Sequence, residues 1–183
     1  MNSAASVGGR DRPRLFLGFP LPGPVVEALA AWQKRELSGG RIVPPENLHV
    51  TLAFLGATPA HELQRIGEAL RASAAVADSP VLTVARYRET RSVGMLVADD
   101  EDGRAGRVAT DIFGRLEQIG VYEREKRPWL AHVTVLRFRE RPRLDPTLPA
   151  LGPVRLSEAA VYHSVLRPTG AQYEVLESVP LGG

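Results

Sequence analysis

The sequence predicts an α+β protein with two pseudo-symmetric lobes, each of mainly antiparallel sheet plus helices, around a central cleft. Short apolar runs of strand length alternate with amphipathic segments of helical period. The pattern His-Val-Thr followed by an aliphatic residue also occurs twice, at residues 49–52 and 132–135, each time inside an apolar run. This separation is too long for a solenoid repeat, so we assign one copy to each lobe.

The order of the elements follows from apolar periodicity and from the residues that begin and end helices. Pro24 suits a first helical turn, and Gly39-Gly40 ends that helix. The Pro- and Arg-rich residues 139–153 predict an irregular loop. The predicted elements are strand 14–19, helix 24–37, extended segment 41–43, strand 48–55, a helix from 58, strands 81–87 and 92–98, a helix over 108–119, and strands 130–138, 154–165 and 173–181.

Composition limits the class of protein. A chain of 183 residues with 44% hydrophobic content is long enough to bury one substantial core. The chain has no cysteine, which excludes disulfides, thiolate nucleophiles and cysteine-ligated zinc. Residues 1–12 predict a flexible N-terminal tail without the apolar region of a signal peptide, and residues 13–183 a single bilobal domain. No apolar stretch approaches the length of a membrane span, so we expect a cytoplasmic protein with no membrane partner.

The repeated pattern places polar side chains on one face of each strand. Because side chains alternate along a strand, His49 and Thr51 point one way while Val50, Leu52 and Phe54 point the other. The second copy likewise places His132 and Thr134 together. Two such strands meeting at the cleft would bring two imidazoles and two hydroxyls onto one surface.

Two histidines and two hydroxyls suit phosphodiester chemistry without a metal or other cofactor. An imidazole has an unperturbed pKa of about 6.5, so near neutral pH one histidine can accept a proton while the other donates one. The hydroxyls can donate hydrogen bonds to the non-bridging oxygens of the phosphoryl group. Lys34 and Lys126 are the only lysines among 23 basic residues, and the arginine fork grips phosphate in two places.

Two rival sites fit the sequence less well. A catalytic zinc usually has three protein ligands, and the motif strands offer one histidine each. A nucleophile triad is disfavoured because Ser164 directly follows His163, and neighbouring residues of a strand point to opposite faces. We interpret His163 as a strand-packing or cleft-rim residue with possible substrate contact, and His61 as solvated.

The paired motifs resemble those of the two-histidine phosphoesterase superfamily. The wider sequence is similar to its RNA 2′,3′-cyclic phosphodiesterase branch, also called 2′-5′ RNA ligases. The resemblance covers nearly the whole chain and includes RLFLGF at 14–19, RIVPPENLHVTLAFLG at 41–56, AHVTVLR at 131–137 and VYHSVLRPTGAQYEVLESVPL at 161–181.

The resemblance implies hydrolysis of an RNA or nucleotide 2′,3′-cyclic phosphate to a 2′-phosphate, without metal or cofactor. It assigns His49 and His132 as the acid/base pair without saying which is the acid. Our own interpretation is that His49 protonates the leaving oxygen and His132 activates water. Thr51 and Thr134 would hold the phosphoryl oxygens. The implied partners are RNA 3′ ends or small nucleotides carrying the cyclic phosphate, and we expect a monomer. The alternatives are 2′-5′ RNA ligation by the reverse reaction, and a non-catalytic module that binds RNA ends.

Two further residues are candidates with conditions attached. Arg137 matches the phosphate-binding arginine that often follows the second motif, but it has the opposite parity to His132 on a regular strand. It reaches the phosphate only if the strand bends or bulges there. Trp129 could stack on a nucleobase. The family commonly has Pro directly before the second His, where this chain has Ala131, so the segment carrying Trp129 can enter the motif differently.

Overall fold

The computed structural model describes residues 11–182, which form nine strands and three α-helices. Each predicted element is present, and the predicted strand 154–165 is divided into two. The elements are β1 (Arg14–Pro20), α1 (Gly23–Glu36), β2 (Arg41–Ile42), β3 (His49–Ala57), α2 (Leu63–Ala75), β4 (Val81–Glu89), β5 (Val93–Asp99), α3 (Arg104–Gln118), β6 (His132–Arg137), β7 (Val154–Arg155), β8 (Glu158–Arg167) and β9 (Gly170–Pro180).

The predicted N-terminal tail lies outside the described residues except for its last two. The backbone carbonyl of Asp11 accepts a hydrogen bond from the N–H of Ala60 (3.1 Å). The Arg12 guanidinium donates to the carbonyl of Ala57 (2.9 Å). Ordered structure therefore begins before residue 13, because these two residues are bonded to the end of β3 and the segment that follows it.

The strands form one antiparallel path in the order β7-β4-β5-β6-β3-β1-β8-β9, with β2 also paired to β6. The two middle strands, β3 and β6, meet through a single residue pair, Val50 opposite Val133. This narrow junction divides the sheet into a first lobe, strands β3, β1, β8 and β9, and a second lobe, strands β6, β5, β4 and β7 with β2. The predicted α+β class is confirmed.

The core lies on the side of the sheet where the helices pack. Each helix contributes fully buried apolar side chains, and Val50 and Val133 at the strand junction belong to the same cluster. The largest fully buried helical side chains are Leu29 and Trp32 of α1, Ile66 and Leu70 of α2, and Ile112 and Leu116 of α3. No helix within residues 11–182 is both long and apolar enough to cross a membrane.

A bulge in β3 changes which side chains face the core. Leu17 of β1 pairs with Ala53 and Gly18 pairs with Thr51, so Leu52 is an extra residue in β3. Beyond the bulge the alternation is reversed. The expectation that Phe54 faces the core is therefore wrong: its side chain is 65% exposed and lies 5.8 Å, between ring centroids, from Phe16 on the side of His49.

The predicted irregular loop, residues 139–153, is held by one buried carboxylate. Glu89 accepts hydrogen bonds from the backbone N–H groups of Arg143 and Leu144, and from the Arg141 guanidinium. Burial alone would raise the pKa of Glu89, but these donors outweigh burial and lower it. The loop is thus ordered without regular secondary structure.

Candidate active site

The two motifs meet at the junction of the lobes. Antiparallel pairing of Val50 with Val133 sets His49 opposite Thr134 and Thr51 opposite His132. The two valines are buried, 1% and 8% exposed, in the core. The four polar side chains therefore share the opposite face of the sheet, where all four are half-buried.

Backbone carbonyls orient both imidazoles. His49 Nδ1 lies 2.7 Å from the carbonyl oxygen of Asn47, and His132 Nδ1 lies 2.8 Å from that of Leu130. Because a carbonyl oxygen only accepts hydrogen bonds, we assign the proton to Nδ1 in each ring. Nε2 is thus left for chemistry in both histidines. In His49 it lies 2.9 Å from the Thr51 hydroxyl, which donates to it.

Aromatic rings surround His49 and keep it uncharged. Its ring centroid lies 4.8 Å from that of Phe16 and 5.4 Å from that of Tyr173, and Tyr162 stacks on Phe16 at 4.7 Å. Burial lowers the pKa of His49 to about 4; the Asn47 carbonyl acts in the opposite direction, and the nearby charges of His132 and Arg137 lower it further. His49 is consequently neutral near neutral pH in the ligand-free protein.

A bulge in β6 meets the condition set for Arg137. Thr134 pairs with Met95 and Leu136 pairs with Gly94, so Val135 is an extra residue. Beyond it, Arg137 pairs with Val93. Because Val93 and Met95 share a face of β5, Arg137 lies on the same face as Thr134.

These groups together can bind and act on a phosphoryl group. The face presents two oriented imidazoles, two hydroxyls and one exposed guanidinium. In the described part of the chain, no cluster of three or more His, Asp or Glu side chains is placed to hold a metal ion. The donor set matches the charge and geometry of a tetrahedral phosphate.

Comparison with known proteins agrees with this geometry. The model of the LigT-like phosphoesterase family matches residues 19–92. The RNA 2′,3′-cyclic phosphodiesterase of Thermus thermophilus is 30% identical over 182 residues, spanning 93% of this chain and 91% of that protein. The chain belongs to this phosphoesterase family. The predicted family and enzyme class are thereby confirmed.

Two further known proteins are similar to this chain over most of its length. The RNA 2′,3′-cyclic phosphodiesterase of Archaeoglobus fulgidus is 29% identical over 151 residues, covering 76% of this chain and 83% of that protein. The crystal structure of E. coli LigT in apo form shares the fold, with a TM-score of 0.81 and 23% identity over 94% of this chain and 99% of that one.

Trp129 connects the two motifs of the phosphoesterase. Its indole N–H donates to the backbone carbonyl of Thr51 (3.0 Å), and its ring packs against the main core. The bond links the segment before β6 to β3. The geometry favours a positioning role for Trp129 over the predicted stacking on a base.

The geometry disfavours the predicted substrate contact of His163, because His163 lies on the other face of the sheet from His49. It pairs with Leu15 of β1, whose side chain is in the main core, whereas its neighbour Tyr162 pairs with Phe16 beside His49. His163 Nδ1 lies 3.5 Å from a carboxylate oxygen of Glu174. We assign it to strand packing on β8 and β9.

Sequence reasoning missed two residues that fix the position of His49. Asn47 holds its ring through the backbone carbonyl and links the turn before β3 to β9 by donating from Nδ2 to the carbonyl of Ala171 (2.8 Å). A Cβ at Gly18 would lie 2.8 Å from the carbonyl oxygen of Val50 and 3.3 Å from His49 Cδ2. Only glycine at this position therefore lets β1 lie this close to β3 and His49. Glycine inside an apolar strand was the available signal.

The pKa of His49 predicts how stability depends on pH. That pKa is about 4 in the folded protein and about 6.5 in an unfolded chain, so the unfolded state binds more protons between these values. The free energy of unfolding that this shift contributes above about pH 6.5 is therefore lost as pH falls towards about 4. At about pH 5 the loss has reached about 2 kcal/mol. In His49→Gln, urea unfolding should show a smaller loss between about pH 7 and 5. The exposed His61→Gln serves as the control and should keep the wild-type loss; an unchanged loss in His49→Gln would contradict the assignment.

Proposed function

We propose that this protein hydrolyses the 2′,3′-cyclic phosphate of RNA 3′ ends, or of small nucleotides, to a 2′-phosphate without a metal or cofactor. The observation that carries the proposal is the meeting of two His-x-Thr strands, which presents paired imidazoles and hydroxyls on one face. The names of the Thermus and Archaeoglobus relatives support the substrate class. We further propose a cytoplasmic monomer.

In the proposed reaction the two histidines divide proton transfer. A neutral imidazole takes a proton from water as the water attacks phosphorus, and a charged imidazole protonates the departing ribose 3′ oxygen. We assign the base to His132 and the acid to His49. Because His49 is neutral in the ligand-free protein, this assignment requires proton uptake on binding, which the negative charge of the bound phosphate favours.

The hydroxyls and the guanidinium stabilise the charge on the phosphoryl oxygens. Thr51 and Thr134 lie beside the histidines. Arg137 lies on the same face of the sheet, beyond the bulge at Val135. Donors held in place before the reaction stabilise developing charge without reorganisation. Thr51 first has to release its hydrogen bond to His49 Nε2 when the phosphate binds.

The aromatic residues beside His49 favour a nucleotide over other phosphate esters. Phe16, Tyr162 and Tyr173 form a cluster on the face of the sheet that carries His49 and Thr51, hereafter the groove face. Phe54 extends this cluster with a largely exposed ring. Aromatic faces stack on nucleobases with little dependence on sequence. A nucleobase stacked there lies next to His49. The cyclic phosphate of the same nucleotide would then lie at the two histidines, where it would react.

The proposal is tested by incubating the protein with a nucleoside 2′,3′-cyclic phosphate in excess EDTA. We expect undiminished turnover relative to the chelator-free reaction, with the 2′-monophosphate identified by phosphorus NMR. Activity lost in EDTA and restored by zinc or magnesium would overturn the metal-free mechanism. A predominantly 3′-phosphate product would mean that the substrate binds reversed. Supplying an RNA with a 5′-hydroxyl tests ligation, which should be minor because water is far more abundant.

A further inference from the structure

The groove face of the second lobe carries two arginines beyond the acid/base site. In the β4–β5 ladder, Arg86 pairs with Val97 and Arg88 pairs with Met95. In the β5–β6 ladder those same two residues pair with His132 and Thr134. Directly paired residues share a face, so both arginines lie on the same face as the second motif, two strands away.

These two arginines are exposed and have no internal partner. Their neighbours Tyr87 and Glu89 face the interior, and Glu89 is engaged by Arg141. Within residues 11–182, no hydrogen bond or ion pair involves the guanidinium of Arg86 or Arg88. Other exposed arginines behave differently: Arg65 on α2, Arg115 on α3 and Arg124 in the loop after α3 are each paired with a carboxylate. The groove-face pair is therefore available to an external anion.

The two arginines lie farther from the reacting phosphate than Arg137 does. Neighbouring strands lie about 4.8 Å apart, so the backbone of Arg88 is roughly 10 Å from that of Thr134. Arg137 lies on the same strand as Thr134, so it is placed to bind the reacting phosphate. A ligand reaching Arg86 and Arg88 from the site must carry further negative charges along the sheet.

We propose that Arg86 and Arg88 bind backbone phosphates of single-stranded RNA on the 5′ side of the cyclic end. This inference rests on the proposed function and narrows its substrate to an RNA chain over a mononucleotide. The cyclic phosphate occupies the 3′ terminus, so the rest of the chain leaves the site in one direction only. The aromatic cluster, Phe16, Tyr162 and Tyr173, lies on the first lobe, and the arginines offer the charged path across the second. Asp99 shares this face beyond Val97 and pairs with neither arginine.

The test compares a hexanucleotide ending in a 2′,3′-cyclic phosphate with the matching nucleoside 2′,3′-cyclic phosphate. Wild-type protein should show the higher kcat/KM on the hexanucleotide. In Arg86→Gln/Arg88→Gln this preference should fall about 10-fold or more, mainly through KM. The slope of log(kcat/KM) against log salt for the hexanucleotide should become shallower by about 1.4, because each lost phosphate contact on a single strand contributes about 0.7.

The matched control is Arg65→Gln/Arg107→Gln, which removes the same charge from exposed arginines on α2 and α3. It should keep both the preference and the salt slope. The single variants Arg86→Gln and Arg88→Gln should each show part of the loss, and thermal melting checks that every variant is folded. A wild type without preference for the hexanucleotide, or a folded double variant that retains it, overturns the inference. Failure of wild type to hydrolyse either substrate would instead remove the proposed function.

Discussion

Replacing His132 by alanine is expected to lower kcat/KM for a nucleoside 2′,3′-cyclic phosphate by about 10²-fold or more, and His49→Ala should do the same. Each change removes one partner of the acid/base pair, and general acid or base catalysis typically contributes 10²-fold to 10⁴-fold. Wild-type kcat/KM should follow a bell-shaped pH curve, because the active form carries one proton on the pair. Its acid limb should lie near pH 4, where His49, the group of lower pKa in the free protein, takes up a second proton and the pair can no longer supply a base.

Two histidines outside the site provide matched controls for this loss. His61 is exposed on the turn before α2, and His163 lies on the opposite face of the sheet from His49. Their alanine variants should retain near-normal turnover and the same bell-shaped profile. Near-normal turnover in His132→Ala would show that the second motif is only structural, and the proposed mechanism would fail.

Thr51→Ala and Thr134→Ala are each expected to lower kcat by about 10-fold to 10³-fold, the range for loss of one donor to a charged transition state. The effect should fall on kcat more than on KM because the charge on the phosphoryl oxygens shifts during the reaction. The two residues differ in the ligand-free protein. Thr51 donates to His49 Nε2, so its loss also frees the acid/base group.

Serine variants separate the hydroxyl from the rest of the threonine side chain. Thr51→Ser and Thr134→Ser keep the donor and lose only a methyl group, so they should recover most of the activity lost in the alanine variants. Steady-state kinetics at saturating substrate, with melting temperatures as a check on folding, measures this recovery. If serine and alanine variants are equally impaired, the hydroxyls do not stabilise the transition state.

The sequence by itself determined the order of the elements and the identity of the motif residues. Both depend on local spacing: a period of two places His49 beside Thr51, and a period near 3.6 places Ile66 and Leu70 on one side of α2. Pro24 and Gly39-Gly40 marked the ends of α1 to within a few residues, because their backbone restrictions act on the chain directly. The repeated motif also predicted that two strands meet, which the Val50–Val133 pair provides.

Tertiary structure decided which side chains beyond the motifs face the groove. The bulges at Leu52 and Val135 reverse the alternation, turning Phe54 and Arg137 onto the groove face, and register on β1 turns His163 away from it. A bulge is a mismatch between two paired strands, so neither strand's own sequence specifies it. The aromatic rings that hold the pKa of His49 near 4 come from β1, β8 and β9, and more than a hundred residues of chain separate β1 from the other two strands. Spacing within a strand determines which of its own side chains lie side by side. The burial and the charge state of those side chains depend on which distant strands pack beside that strand.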